Sequence, residues 1–336
     1  MPEQPEISII IPVYNAATTL KRCLQSVVSS HLAGLEIICI NDGSTDNSGK
    51  LLADWAQQDP RIKVLAQDNA GVSTARNLGL RQASGQYIVF VDADDEITPT
   101  YLSNLLQAAR QYDADVVVCG QQQHNARGQY SAITRPFRDI PGLTPEELAK
   151  LPPSVCSHMY ASRALQTLNG IAQFPLGIRY GEDTAFHYSL YPLCRHAVQI
   201  EENGYIIYYT EGSSTSKAAT IVFDMLKAVS WLAEQYQQYG MTADCRECLV
   251  HYAAHTIRRI HSLGLHSMQA DAARTMRQIL QNAGVSDKHL CHLNKRSASI
   301  LLDILRGGNG LNLSYYIKRL KKHFHSWHPS CSTAHT

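Results

Sequence analysis

Five short apolar runs separated by four stretches of helical periodicity fill the first 120 residues and restrict the fold more than any other feature. Ile7–Pro12, Leu35–Ile40, Ile62–Leu65, Gln86–Val91 and Val116–Cys119 are rich in Ile and Val and predict strands. Residues 18–29, 46–58, 72–83 and 100–112 predict the helices between them. Strands that are apolar on both faces, separated by helices of ten or more residues, form a mostly parallel sheet with helices on both sides. Such α/β sheets bind ligands in the crevice at the carboxyl ends of their strands. The residues that follow each strand are therefore the first place to look for chemistry.

Three of those loops are polar or acidic. The first strand ends in Pro12-Val-Tyr14-Asn15, the second in Asn41-Asp42-Gly43-Ser44-Thr45-Asp46, and the fourth in Asp92-Ala93-Asp94-Asp95. Asp-Gly-Ser is by itself a good turn, and Asp46 can cap the helix that follows. The third loop is more demanding. Three carboxylates within four residues repel one another unless a cation sits among them. Carboxylate oxygens at a strand end suit Mn²⁺ or Mg²⁺, which use one or two carboxylates and complete their shell with substrate phosphates.

Taken in order and at normal spacing, Ile7-Ser-Ile-Ile-Ile-Pro-Val-Tyr-Asn15, Asn41-Asp-Gly-Ser-Thr-Asp46, Asn69-Ala-Gly-Val-Ser-Thr-Ala-Arg-Asn-Leu-Gly79 and Phe90-Val-Asp-Ala-Asp-Asp95 resemble the family 2 glycosyltransferases. The likeness is close over the first 120 residues and looser through Gly181-Glu182-Asp183 and Tyr208-Tyr-Thr-Glu-Gly-Ser213. It implies a GT-A fold and a nucleotide-sugar site drawn from Pro12, Tyr14, Asn15, Asp42, Arg76, Asp92, Ala93 and Asp94. In that site Tyr14 lies against the base, Asp42 bonds its edge and Arg76 sits beside base and diphosphate. Asp92 and Asp94 hold the Mn²⁺ or Mg²⁺, with Asp95 able to share either task. The resemblance further implies Asp183 as catalytic base, Glu182 supporting the acceptor side, inversion at the anomeric carbon and UDP as the favoured nucleotide. The Gln-x-x-Arg-Trp motif of the processive synthases is missing, which points to a single transfer per encounter onto a saccharide, lipid-linked or free, in lipopolysaccharide or capsule and exopolysaccharide assembly. The alternative from another class is an inactive nucleotide-sugar-binding or scaffold protein of the same fold.

The rest of the chain supplies the organisation. Residues 1–121 read as the nucleotide-sugar half, 122–216 as the acceptor half, 217–312 as a helical region and 313–336 as a basic amphipathic helix and tail. Leu313, Tyr316, Ile317, Leu320, Phe324 and Trp327 recur at helical spacing beside Lys318, Arg319, Lys321 and Lys322. That combination suits an anionic membrane surface along 313–327, and equally a last helix packed on its own domain. Net charge is +1 over the whole sequence, so nothing global implies nucleic acid. No signal peptide or spanning segment is visible, and nine scattered cysteines suit a reducing compartment. The expectation is a cytoplasmic protein, peripheral on the inner face of the inner membrane.

Two further groups invite a functional reading. Cys245, Cys248, His251 and His255 imitate zinc spacing, yet one straight helix cannot wrap four ligands around an ion, so packed thiols and imidazoles are expected. His187 lies one helical turn after Asp183 and reads as a structural neighbour able to assist it.

Overall fold

The computed structural model describes residues 4–308 except 31, 33, 125–129, 168–169, 209–217, 263–268, 291–292 and 294. The amphipathic stretch 313–327 lies outside the described residues. The described residues form two compact units, one within 1–143 and 150–216 and one within 144–149 and 217–336.

The first unit begins with the alternation foreseen from sequence: β1 (Ile7–Val13), α1 (Leu20–Val28), β2 (Leu35–Asp42), α2 (Ser48–Gln58), β3 (Ile62–Gln67), α3 (Val72–Gln82) and β4 (Tyr87–Phe90). Two-residue β5 (Glu96–Ile97), α4 (Tyr101–Tyr112), β6 (Val116–Val118), β7 (Gln121–His124), β8 (Tyr130–Ile133) and β9 (Arg138–Pro141) follow. After α5 (Pro145–Lys150) of the second unit come β10 (His158–Ala161), β11 (Gln166–Thr167), β12 (Gly170–Ile171), α6 (Glu182–Ser189), β13 (His196–Gln199) and β14 (Tyr205–Tyr208). The main sheet has eight strands in the order β3-β2-β1-β4-β10-β6-β13-β9. Strands β1 to β4 are mutually parallel, and β10 enters antiparallel between β4 and β6. Sequence reasoning left residues 121–216 irregular because their strands run only two to four residues and carry little periodicity.

Periodicity does explain α1, whose buried Leu20, Cys23, Leu24 and Val27 fall at i, i+3, i+4 and i+7. Helix α3 approaches the sheet closely because Gly79 has no side chain: a Cβ there would stand 2.5 Å from Ile10 Cγ2 and 3.1 Å from Ile40 Cδ1. At the opposite end of β1 and β2 from the polar loops, buried Glu36 accepts from Ser8, from Lys63 Nζ at 2.7 Å and from Ser84 N at 2.6 Å. A second, four-stranded sheet in the order β5-β14-β7-β8 starts directly after the acidic loop.

The second unit contains α7 (Ala218–Gln237), α8 (Ala243–Ser262), α9 (Gln269–Asn282) and α10 (Lys295–Leu305). Val229, Leu232, Tyr236, Leu249, Tyr252, Met276, Leu280, Leu301 and Ile304 are buried in it. Cys245 and Cys248 are free, buried thiols on α8. Burial lowers the pKa of His255 on the same helix. None of the helices among the described residues is long and apolar enough to cross a membrane.

Candidate active site

Parallel register brings the polar loops to one edge. Val13 pairs with Asn41 and Ile10 with Phe90, so β1, β2 and β4 end side by side. Asn15 fastens the first loop to the second. It adopts a left-handed φ of 48°, a conformation Asn tolerates, and its Oδ1 accepts from Thr45 N at 2.8 Å. Its own N–H donates to Ser44 Oγ at 3.1 Å. This turn presents Tyr14 with 52% of its surface exposed at the end of β1, while Pro12 remains within the strand.

Asp42 is buried and already engaged. Its carboxylate accepts from Gln67 Nε2 at 2.7 Å, Ala70 N at 2.8 Å and Gly71 N at 2.9 Å. Those bonds satisfy most of its lone pairs and hold the entrance to α3. The residue expected to meet a base edge thus also shapes the loop around it.

In the acidic loop the three carboxylates have different surroundings. Asp95 is buried: Tyr205 Oη donates to it at 2.9 Å and Tyr208 N at 3.1 Å. Burial, together with the charges of Asp92 and Asp94, raises its pKa to about 8. It ties the loop to the second sheet, and Tyr205 Oη also accepts from Asp92 N at 3.1 Å. Asp95 therefore points inward, away from the sharing role left open for it. Ala93 is buried, while Asp94 sits exposed at the tip and pairs with no described side chain. Desolvation and the neighbouring Asp92 raise its carboxyl above the ordinary range. Arg22 of α1 steadies the tip, donating to Asp94 O at 2.6 Å and pairing with Glu96 at 2.7 Å.

Arg76 is the hub. Only 3% exposed, its guanidinium reaches Asp92 at 2.9 Å, Glu182 at 3.4 Å and Asp183 at 3.9 Å. One buried cation thereby joins the strand-end loop to the first turn of α6. Asp92 accepts in addition from Cys156 Sγ at 3.3 Å. Below this cluster Phe174 and Phe186 stack at 3.9 Å, and Phe90 meets Phe174 edge-on at 5.2 Å. Asn77 of α3 locks Phe174 through both amide atoms, at 2.9 and 2.7 Å. The aromatic stack fixes α6 and with it the acidic pair. Burial, then Asp183, push the Glu182 carboxyl well above its usual range.

Residues 8–163 match the family described as glycosyl transferase family 2. The glycosyltransferase EpsJ of Bacillus subtilis is 30% identical over 290 residues, which span 82% of this chain and 83% of EpsJ. The chain belongs to glycosyltransferase family 2. The glycosyltransferase YibD of Escherichia coli is 46% identical over 114 residues, covering 34% of this chain and 33% of YibD. Among solved structures, residues 1–349 of Staphylococcus aureus TarS in complex with UDP-GlcNAc superpose with a TM-score of 0.72. At 18% identity over 96% of this chain and 92% of that one, the likeness is one of fold.

This family 2 glycosyltransferase has donor groups that fit a divalent ion of the Mn²⁺ or Mg²⁺ type. Among the described residues no three His, Cys, Asp or Glu side chains converge on one point. Asp94 has Arg22 nearby, bonded to its backbone oxygen, and Asp92 is half-held by Arg76. One or two carboxylates completed by phosphate oxygens is how such ions are ordinarily bound.

Of the residues predicted from sequence, the structure gathers Arg76, Asp92, Glu182 and Asp183 into one cluster and sets Asp94 beside it in sequence at the loop tip. Tyr14, Asn15 and Asp42 belong to the adjoining loops. Sequence reasoning missed Arg22, Cys156, Tyr205 and Phe174. Each contacts the site across 64 or more residues of chain or through an aromatic stack, and no local pattern signals such a contact. His187 is buried edge-on to His158 at 5.2 Å; burial, then His187, lower the pKa of the His158 ring well below its ordinary value.

Proposed function

We propose that this glycosyltransferase transfers one sugar from a nucleotide-sugar, with UDP the favoured nucleotide, to a saccharide hydroxyl with inversion. The single observation that carries the reading is the bridge made by Arg76 between Asp92 and the Glu182–Asp183 pair. It ties Asp92, read as the donor-side carboxylate, to Asp183, read as the acceptor-side base, through one guanidinium.

Tyr14, on its exposed turn, offers a face for the base, and the loop pinned by Asp42 shapes the same wall. Asp94 and Asp92 would hold the Mn²⁺ or Mg²⁺, which supplies Lewis-acid stabilisation of charge on the departing diphosphate. Asp183 takes the proton of the acceptor hydroxyl as its oxygen bonds to the anomeric carbon. The bond from that carbon to the diphosphate oxygen breaks on the opposite face, and the nucleoside diphosphate leaves with the electron pair. Glu182, beside Asp183 in the first turn of α6, supports the acceptor side. The acceptor belongs to the surface-polysaccharide class, presented at the cytoplasmic face of the inner membrane, where 313–327 would lie against anionic lipid.

The test is nucleotide release from a panel of UDP- and GDP-sugars with Mn²⁺, on wild type, Asp94→Ala and Asp183→Asn. Release from one donor, lost in Asp94→Ala, supports the donor site. Transfer lost in Asp183→Asn with donor affinity kept supports the base. Donor bound without turnover on any acceptor pool would instead favour an inactive binding protein of this fold.

A further inference from the structure

A row of aromatic side chains crosses the smaller sheet from the acidic loop to its outer edge. Tyr208 of β14 is paired in register with His124 of β7, and His124 with Tyr130 of β8. Residues directly opposite on adjacent strands share a face. The ring centroids are 5.0 Å apart from Tyr208 to His124 and 5.6 Å from His124 to Tyr130, with tilts of 33° and 57°.

The inner end of the row is built into the donor side. The guanidinium of Arg22 lies 3.7 Å over the Tyr208 ring, and the same group donates to Asp94 O. Tyr208 N in turn donates to Asp95. At the outer end Tyr130 is 59% exposed, on a strand whose residues are all exposed. Between them, His124 Nε2 is buried without a hydrogen-bond partner among the described residues, a cost that a ligand donor or acceptor would remove.

Core packing does not account for an aromatic ring at the exposed end of such a row. The chemistry that does fit is a pyranose chain. Its C–H faces stack on electron-rich ring faces, while its hydroxyls meet the phenol and imidazole edges. We propose that Tyr208, His124 and Tyr130 form a track for the acceptor saccharide, holding sugar units beyond the one that receives the transfer. This rests on the transferase reading above, and it makes a longer acceptor a tighter one.

The test titrates the full chain with β-linked hexasaccharides of glucose, galactose and N-acetylglucosamine and with the matching monosaccharides. Tyr130→Val keeps a strand-forming residue and removes the ring, whereas Tyr130→Phe keeps the ring. At least one hexasaccharide should bind more tightly than its monosaccharide. Its affinity should fall about tenfold in Tyr130→Val and be largely kept in Tyr130→Phe, as expected for one lost aromatic contact. No binding by any hexasaccharide, or equal binding by wild type and Tyr130→Val, overturns the track. So does self-association of the wild type that Tyr130→Val abolishes, since β8 would then be covered by a second copy. UDP-sugar hydrolysis on the same samples separates the two readings. Hydrolysis without saccharide binding sinks the track alone, and ring-dependent saccharide binding without hydrolysis of any donor sinks the transferase reading alone.

Discussion

Replacing Arg76 by Met removes the cation on which the site is built while nearly keeping its volume. In the native protein three carboxyl groups stand 2.9 to 3.9 Å from the guanidinium. At an effective dielectric near 20, an ionised pair at such distances gains about 4 kcal/mol gross. Much of that offsets the several kcal/mol needed to take the guanidinium out of water. Removal of one partner has a one-sided effect: Asp92 and Asp183, both partly exposed, lose their shared counter-charge, and buried Glu182 loses its donor. Water screens the two exposed acids, so the expected loss is about 2–4 kcal/mol. For a unit of this size that corresponds to a fall in Tm of about 4–16 °C. Arg76→Lys should lie between, since an ammonium keeps the charge but cannot span Asp92 and Glu182 as a planar fork does. The assay is thermal and urea denaturation of the full chain, with nucleotide release measured in parallel. Activity should fall further than stability accounts for, because Asp92 and α6 lose their common tether. An Arg76→Met protein within about 1 kcal/mol of wild type would refute the argument that this cation is a structural keystone.

Three further outcomes are expected. Gly79→Ala forces a methyl against Ile10 and Ile40 and should destabilise by about 1–3 kcal/mol, read as a lower urea midpoint with unchanged slope. Burial opposes ionisation of Glu36, but hydrogen bonds from Lys63, Ser8 and Ser84 outweigh it and hold the carboxyl below its ordinary range. Its contribution is therefore present above the unfolded pKa and is lost as pH falls through the folded one. Glu36→Gln should be less stable than wild type by about 1–3 kcal/mol at pH 7, with the gap closing toward about pH 3; a gap constant with pH would count against the charge. Asp42→Ala leaves the N–H groups of Ala70 and Gly71 without their acceptor and should cost about 1–3 kcal/mol. Donor titration should show weaker nucleotide binding in that variant even under conditions where it remains folded.

The division of labour between sequence and tertiary structure follows from what each interaction requires. The alternation of β1 through β4 with α1 to α3 was readable because periodic burial is a local pattern, as Leu20, Cys23, Leu24 and Val27 show on α1. The acidic loop was readable for a similar reason, since crowded carboxylates after an apolar strand require compensation whatever surrounds them. Most of the short strands between 121 and 208 gave no comparable signal, and β10 enters the sheet antiparallel between β4 and β6, partners far from it in sequence. Tertiary structure alone decided which carboxylates do what. Asp95 turned out to be an internal tie because Tyr205, 110 residues later, supplies its hydroxyl. Asp42 also holds the α3 entrance, and Arg76 acquired Glu182 across 106 residues. Residue type and spacing could nominate these groups as charged. Burial, and the partners that only folding brings within 3 to 4 Å, determined where each charge is held.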